Sequence, residues 1–239
     1  MSDCIDHGPA RPFFTTVVPM VVFLVGSLFE PVPSGGGLAG SLGIPYSAYP
    51  LVYSIRLAAT LAAIAACRGP LSGWLGRPSW WPPLLGLALA LPWIVLSGLQ
   101  REAGFGGTLG ERSGFNPFAE LGEGSRQAWA FLAVRFLGLM VVTPIIEELF
   151  LRGFLMRVVI HEDFWKVPFG LLTFASAATC AVYAAVSHPA EAIAAIGWFA
   201  IVSGIAAATR APIDPILAHA ATNLAIGVYV VATGAWWLM

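Results

Sequence analysis

Apolar residues run through this chain in long blocks separated by short polar or turn-forming segments. The blocks at 13 to 29, 49 to 67, 82 to 100, 128 to about 160, 168 to 187, 191 to 208 and 213 to 238 come close to the roughly 20 apolar residues that a helix needs to cross a hydrocarbon core. They are too long for barrel strands, and in lipid each segment must satisfy its own backbone polar groups, so the pattern predicts helices. The expected architecture is all-α, a polytopic membrane helix bundle of about seven or eight transmembrane helices. It reads as one integral membrane domain, with N-terminal helices and loops over 1–127 and a helical core over 128–239. The block from 128 is longer than a bilayer needs, and Pro144 inside it predicts a kink or break. The connection 30 to 48, with Pro31, Pro33 and Gly35 to Gly37, is turn-rich.

Composition agrees with a lipid solvent: 58% of residues are hydrophobic and 10% charged, against about 25% charged in an ordinary soluble domain. Mean hydropathy is +0.79. A formal net charge of -1 leaves no electrostatic footprint for nucleic acid. Cys4, Cys67 and Cys180 show no paired spacing, and they argue for neither disulfides nor a metal knuckle. The N-terminus has Asp3, Asp6 and Arg11 before its first apolar run, with no small-residue cleavage site after it, and reads as an uncleaved first span. With the N-terminus inside, Arg11, Arg68, Arg77, Arg157, Lys166 and Arg210 fall on cytoplasmic connections, and only Arg101, Arg112 and Arg126 fall outside. Trp80, Trp81, Trp165, Trp236 and Trp237 stand at span ends, where an interfacial aromatic belt places them.

Ionisable residues inside apolar spans cost about 2.5 to 3.5 kcal/mol each on insertion scales and are functional candidates by default. Glu147 and Glu148 are adjacent in VVTPIIEELFLRGFLM, and Arg152 lies one helical turn after Glu148, in the favourable acid-before-base order. Glu148 is then neutralised by Arg152, while Glu147 points about 100° away. The pair divides into one structural and one reactive carboxylate. His188 closes the apolar run TCAVYAAVSH, and His219 and Asn223, four residues apart in PILAHAATNLAIGV, share a helical face. With a hairpin turn at 161 to 168, Glu147 and His188 lie about 21 Å and 30 Å from it at 1.5 Å per residue, a mismatch of about two turns. A carboxylate beside a neutral histidine suits proton removal from water, and a histidine and an asparagine one turn apart suit oxyanion donation. No serine or cysteine stands in a comparable relation to the histidines, which disfavours a covalent route.

EELFLR matches the EExxxR motif, and HAATN the HxxxN motif, of the CPBP membrane proteases, the family of type II CAAX prenyl endopeptidases; the chain resembles that family over about residues 128 to 230. The family's middle motif has an aromatic four residues before its histidine, whereas this chain has Ala184 there and Tyr183 one residue earlier. The resemblance implies a glutamic-type intramembrane endopeptidase in which Glu147 and His188 activate water, His219 and Asn223 stabilise the oxyanion, and Glu148 and Arg152 support them. It implies no metal and no cofactor. Its implied partners are the lipid bilayer and a membrane-anchored protein or peptide substrate. YPLVYSIRLAA, GFNPFAE, DFWKVP and GVYVVATGAW resemble the bacterial CAAX-protease-related branch found with exosortase systems. That branch implies a bacterial inner (cytoplasmic) membrane and a substrate with a C-terminal sorting tag, an apolar helix followed by basic residues.

Three other readings compete. His188, His219 and Glu147 could form a two-histidine, one-carboxylate zinc site, although no HExxH spacing supports it. A non-catalytic membrane scaffold or immunity protein would keep the polar cluster for packing. Buried glutamates and histidines also suit a solute or proton transporter, for which no internal repeat is visible.

Overall fold

The computed structural model describes residues 10–104 and 114–239, so Asp3, Cys4, Asp6, Glu111 and Arg112 lie outside the described residues. Among the described residues the secondary structure is helical throughout, without a strand. The principal helices are α1 (Ala10–Ser27), α2 (Tyr49–Ala66), α3 (Trp81–Glu102), α4 (Arg126–Val158), α5 (Phe174–Ser187), α6 (Ala192–Thr209) and α7 (Ile213–Thr233). Five of them, α2, α3, α4, α6 and α7, are long and apolar enough to cross a membrane, whereas α1 and α5 are apolar but shorter. The chain is an integral membrane protein.

Three boundaries differ from the apolar pattern. Residues 168 to 173 are mostly apolar but not helical. Gly170 adopts φ 75°, and a Cβ there would meet the Ala206 carbonyl oxygen at 2.2 Å, so the chain lies directly on α6. A capping box then starts α5, with the Thr173 hydroxyl accepting from Ser176 N at 3.2 Å and Ser176 Oγ accepting from Thr173 N at 2.9 Å. Arg157, expected as a loop charge, is buried and ties down this connection by donating to the carbonyls of Gly153 and Val167, each at 2.9 Å. The connection thus runs from 159 to 173. Measured from its ends, the difference in depth between Glu147 and His188 shrinks from about two turns to about one.

At the C-terminal end, α7 stops at Thr233 with Gly234 in the left-handed region, and a 3-10 turn (Trp236–Leu238) follows. That turn folds back: Trp237 stacks under the Arg101 guanidinium at 4.7 Å, and Trp236 packs edge-on against Phe118 at 5.9 Å. α4, thirdly, does not break at Pro144. It passes through i→i+5 turns at Gly138–Val142 and Leu151–Leu155, which bracket an α-helical stretch, Thr143–Phe150.

The packing holds α7 at the centre. α3 and α7 approach closely because Gly86 has no side chain: a Cβ there would lie 2.1 Å from the Ala218 carbonyl oxygen. The Thr222 hydroxyl lies 2.7 Å from the Gly86 carbonyl, in the same contact. Around this pair, Trp93, Trp198, Phe199 and Val202 form one buried apolar cluster. A second cluster, with Tyr53, Leu57, Phe131 and Ile146, joins α2 to the first half of α4.

Candidate functional site

The segment Thr143–Phe150 carries both glutamates, and both are buried. Glu148 is enclosed by donors. Arg152, one turn further along α4, pairs with its Oε2, and His219 Nδ1 lies 3.1 Å from its Oε1. The Arg152 guanidinium continues to α6, donating through Nη2 to the Phe199 carbonyl at 2.8 Å and through Nε to Ser203 Oγ at 3.3 Å. One carboxylate thereby locks α4, α6 and α7 together. Cys180 packs beside Ser203 as a buried free thiol. Glu147, turned away from this network, faces His219 Nε2 at 3.9 Å, beyond direct hydrogen-bond length.

An ionised carboxylate only accepts, so the contact with Glu148 places the Nδ1 proton on His219 and leaves Nε2 toward Glu147. The same logic fixes His188, which caps the end of α5. Its Nδ1 lies 2.9 Å from Ser187 Oγ, whose own proton goes to the Tyr183 carbonyl at 2.7 Å. Nδ1 is therefore the donor, and Nε2 is the unprotonated ring nitrogen. The ring is held by Trp93 and Phe199, with centroids at 5.4 and 5.6 Å. Phe199 thus supplies an aromatic neighbour to this histidine. Ala184 is fully buried, and its carbonyl accepts the His188 N–H at 3.1 Å. Tyr183 packs on Phe150 and Phe199, and its hydroxyl is buried without a hydrogen-bond partner.

Asn223 follows His219 by one turn on α7, and its Nδ2 donates to the Leu139 carbonyl at 2.9 Å. Pro144 explains that bond. In the i→i+5 turn, Thr143 N–H bonds back to the Gly138 carbonyl, so the next donor, due to Leu139, would come from residue 144. Proline has no N–H. The orphaned carbonyl of Leu139 is taken by the asparagine, which leaves the second N–H of that amide for another acceptor.

Glu147, His188, His219 and Asn223 all line one cavity of about 300 Å³. Glu148 and Arg152 stand behind it rather than on its wall. Among the described residues no three His, Cys, Asp or Glu side chains are gathered so as to share a metal ion, so the zinc reading lacks a ligand set. Sequence reasoning missed several wall residues: Trp93, Trp198, Thr143 and, at the far end, Glu30, Arg56 and Arg135. The two arginines carried a usable signal, since Arg56 is the lone charge of α2 and Arg135 the lone charge between residues 127 and 146 of α4. Trp198 covers His219 edge-on at 4.6 Å and anchors its indole N–H on Thr222 Oγ1 at 3.1 Å.

No curated protein and no solved structure matches the chain. Residues 129–225, less than half of the chain but including every one of these four cavity residues on α4 to α7, match the family model described as type II CAAX prenyl endopeptidase Rce1-like, a family of membrane proteases.

Proposed function

We propose that the chain is a glutamic-type intramembrane endopeptidase that hydrolyses a peptide bond of a membrane-anchored protein. The convergence of Glu147, His188, His219 and Asn223 on one cavity carries this reading, and the family match over 129–225 supports it. The Glu147 carboxylate, assisted by His188 Nε2, takes a proton from water as the water oxygen bonds to the scissile carbonyl carbon. The negative charge that develops on the carbonyl oxygen is met by His219, protonated at Nε2, and by the second N–H of Asn223. Glu148 stabilises that imidazolium from behind through Nδ1. Collapse of the tetrahedral intermediate breaks the C–N bond, and Glu147 returns its proton to the leaving amine.

In this reading α1 and α5 complete a seven-helix bundle with its N-terminus inside, in a bacterial inner membrane. The first substrates to test are membrane-anchored proteins with a C-terminal sorting tag. Co-incubation of the purified protein with such proteins should give a size shift that Glu147→Gln abolishes. Equal cleavage by Glu147→Gln and wild type would end the glutamate-base mechanism.

A further inference from the structure

The Tyr183 hydroxyl is a polar group that the hydrolytic mechanism does not use. It is buried without a hydrogen-bond partner, and an unmade bond of that kind works against stability. Phenylalanine would pack the same ring and leave nothing orphaned. The ring touches both apolar clusters, with its centre 6.1 Å from Phe150 of α4 and 5.7 Å from Phe199 of α6. Phe150 follows Glu147 by three residues in the α-helical stretch Thr143–Phe150, so the two are neighbours on its surface. The Tyr183 backbone is tied to His188: its carbonyl accepts from Ser187 Oγ at 2.7 Å, and that Oγ lies 2.9 Å from His188 Nδ1. Phe199 strengthens the link, because the His188 ring packs on it as well, at 5.6 Å. One residue thus orients His188 through its carbonyl and packs its ring on the turn of α4 that carries Glu147.

Among the described residues, the charged and titratable groups that act on the hydroxyl are Glu147 foremost, then Glu148, Arg152 and Cys180. α6 adds none, since Ala192–Thr209 contains no titratable side chain. Arg152 can only donate. Glu148 already takes Arg152 on Oε2 and His219 on Oε1. The Cys180 sulfur lies against the Phe199 carbonyl and Ser203 Oγ, at 3.8 and 3.4 Å. That leaves Glu147, which stands on the cavity wall with His188 and faces His219 Nε2 at 3.9 Å. Catalytic hydrogen bonds are often long in a free enzyme and tighten in the substrate complex. A glutamate turns about three side-chain bonds, so the carboxylate is the partner that moves and the packed phenol the one that stays.

We propose that Tyr183 is a positioning residue of the hydrolytic site, its O–H donating to the Glu147 carboxylate and holding it against the attacking water. This rests on the peptidase reading and adds a residue to its machinery. Tyr183 stands behind the cavity wall rather than on it, so it acts through Glu147 and not on the substrate. A hydrogen bond given to the charged form of a carboxyl favours that form. The same bond therefore aims the base and keeps it ionised until water yields its proton.

The test removes the hydroxyl, keeps the ring and reads Glu147 itself. Full-length, detergent-solubilised protein labelled with carbon-13 at the glutamate carboxyl groups is titrated by NMR, and the Glu147 resonance is the one missing from Glu147→Gln. In Tyr183→Phe the carboxylate has lost a donor, and Glu147 should take up its proton about one pH unit higher than in wild type, the scale of one hydrogen bond to a charged group. Tyr183→3-fluorotyrosine makes the phenol a stronger donor and should move the midpoint the other way, a change that misfolding cannot produce. Unmoved Glu147 midpoints in both variants would overturn the proposal, and a lowered melting temperature alongside them would assign the ring to packing alone. A shift confined to the Glu148 resonance would overturn it as well. The titration needs no turnover, so a negative result leaves the peptidase reading standing. On any membrane-anchored protein that is cleaved, the acid limb of kcat/KM should follow the Glu147 midpoint from variant to variant, with KM little changed. Conversely, equal cleavage by Glu147→Gln and wild type would defeat the glutamate base while leaving the Tyr183–Glu147 bond measurable.

Discussion

Asn223 and Leu139 are joined across α7 and α4 by a 2.9 Å hydrogen bond that exists because Pro144 cannot supply the backbone donor. The asparagine therefore has a packing duty beside its proposed oxyanion duty, and the two are separable. Asn223→Ala should lower kcat about 10² to 10³-fold with little change in KM. It should also lower stability by about 1 to 3 kcal/mol, the cost of leaving a buried acceptor unmade. Pro144→Ala restores an N–H near Leu139. In that background the stability loss from Asn223→Ala should shrink, while its kcat loss persists. Unfolding and turnover measured over this double-mutant cycle check both parts, and a kcat loss that vanishes with the stability loss would make Asn223 purely structural.

The two adjacent glutamates should respond in opposite ways to the same substitution. Glu148→Gln strands Arg152 as a buried charge that still faces Phe199 and Ser203, and the expected destabilisation is about 3 to 5 kcal/mol. Glu147→Gln keeps volume and polarity on a cavity wall and should melt close to wild type while losing cleavage. Melting curves in detergent for the two variants decide the division of labour; matching losses of stability would contradict it.

Glu30 gives a pH signature. Burial raises its pKa above the ordinary 4.5, and the opposing attraction of Arg56 and Arg135 does not cancel that rise. A carboxyl with a raised folded pKa holds more protons folded than unfolded between the two values, so stability falls as pH rises through that window. Relative to wild type, Glu30→Gln should lose the part of the melting-temperature decline that begins near pH 4.5. Parallel melting profiles for the two proteins from pH 4 upward would show that Glu30 does not titrate with folding.

The all-helical architecture was legible because lipid leaves few alternatives for apolar runs of this length, and Glu147, His188, His219 and Asn223 were legible as polar side chains inside or closing apolar runs. What sequence spacing could not carry was any feature that depends on a distant partner. Residues 168 to 173 look like helix until Gly170 is seen resting on the Ala206 carbonyl. Pro144 looks like a break until Asn223, 84 residues from Leu139, supplies the missing donor. Arg56 and Arg135 escaped notice for another reason: a hydropathy window averages one charge into its apolar neighbours. The pairing of Arg56 with Glu30 and with the Phe23 ring, and the placement of Arg135 against the Tyr53 ring, emerge only in three dimensions.

Gly86 offers a test of how tightly the site depends on helix spacing, without touching any cavity side chain. A Cβ at this position would lie 2.1 Å from the Ala218 carbonyl oxygen, and backbone cannot move aside as a flexible side chain would. Ala218 immediately precedes His219, so displacement of α7 shifts the imidazole against both glutamates. Overpacking typically costs about 1 to 3 kcal/mol. Gly86→Val should reach that range and lower kcat further than the stability loss explains, because His219 Nδ1 is drawn from its 3.1 Å contact with Glu148. Gly98 on the same helix is the control, since a Cβ there meets nothing within 4 Å. Gly98→Ala should be neutral or stabilising by up to about 1 kcal/mol, the helix-propensity difference between the two residues. Full activity in folded Gly86→Val would mean that α7 tolerates displacement and that the close α3–α7 approach serves packing alone.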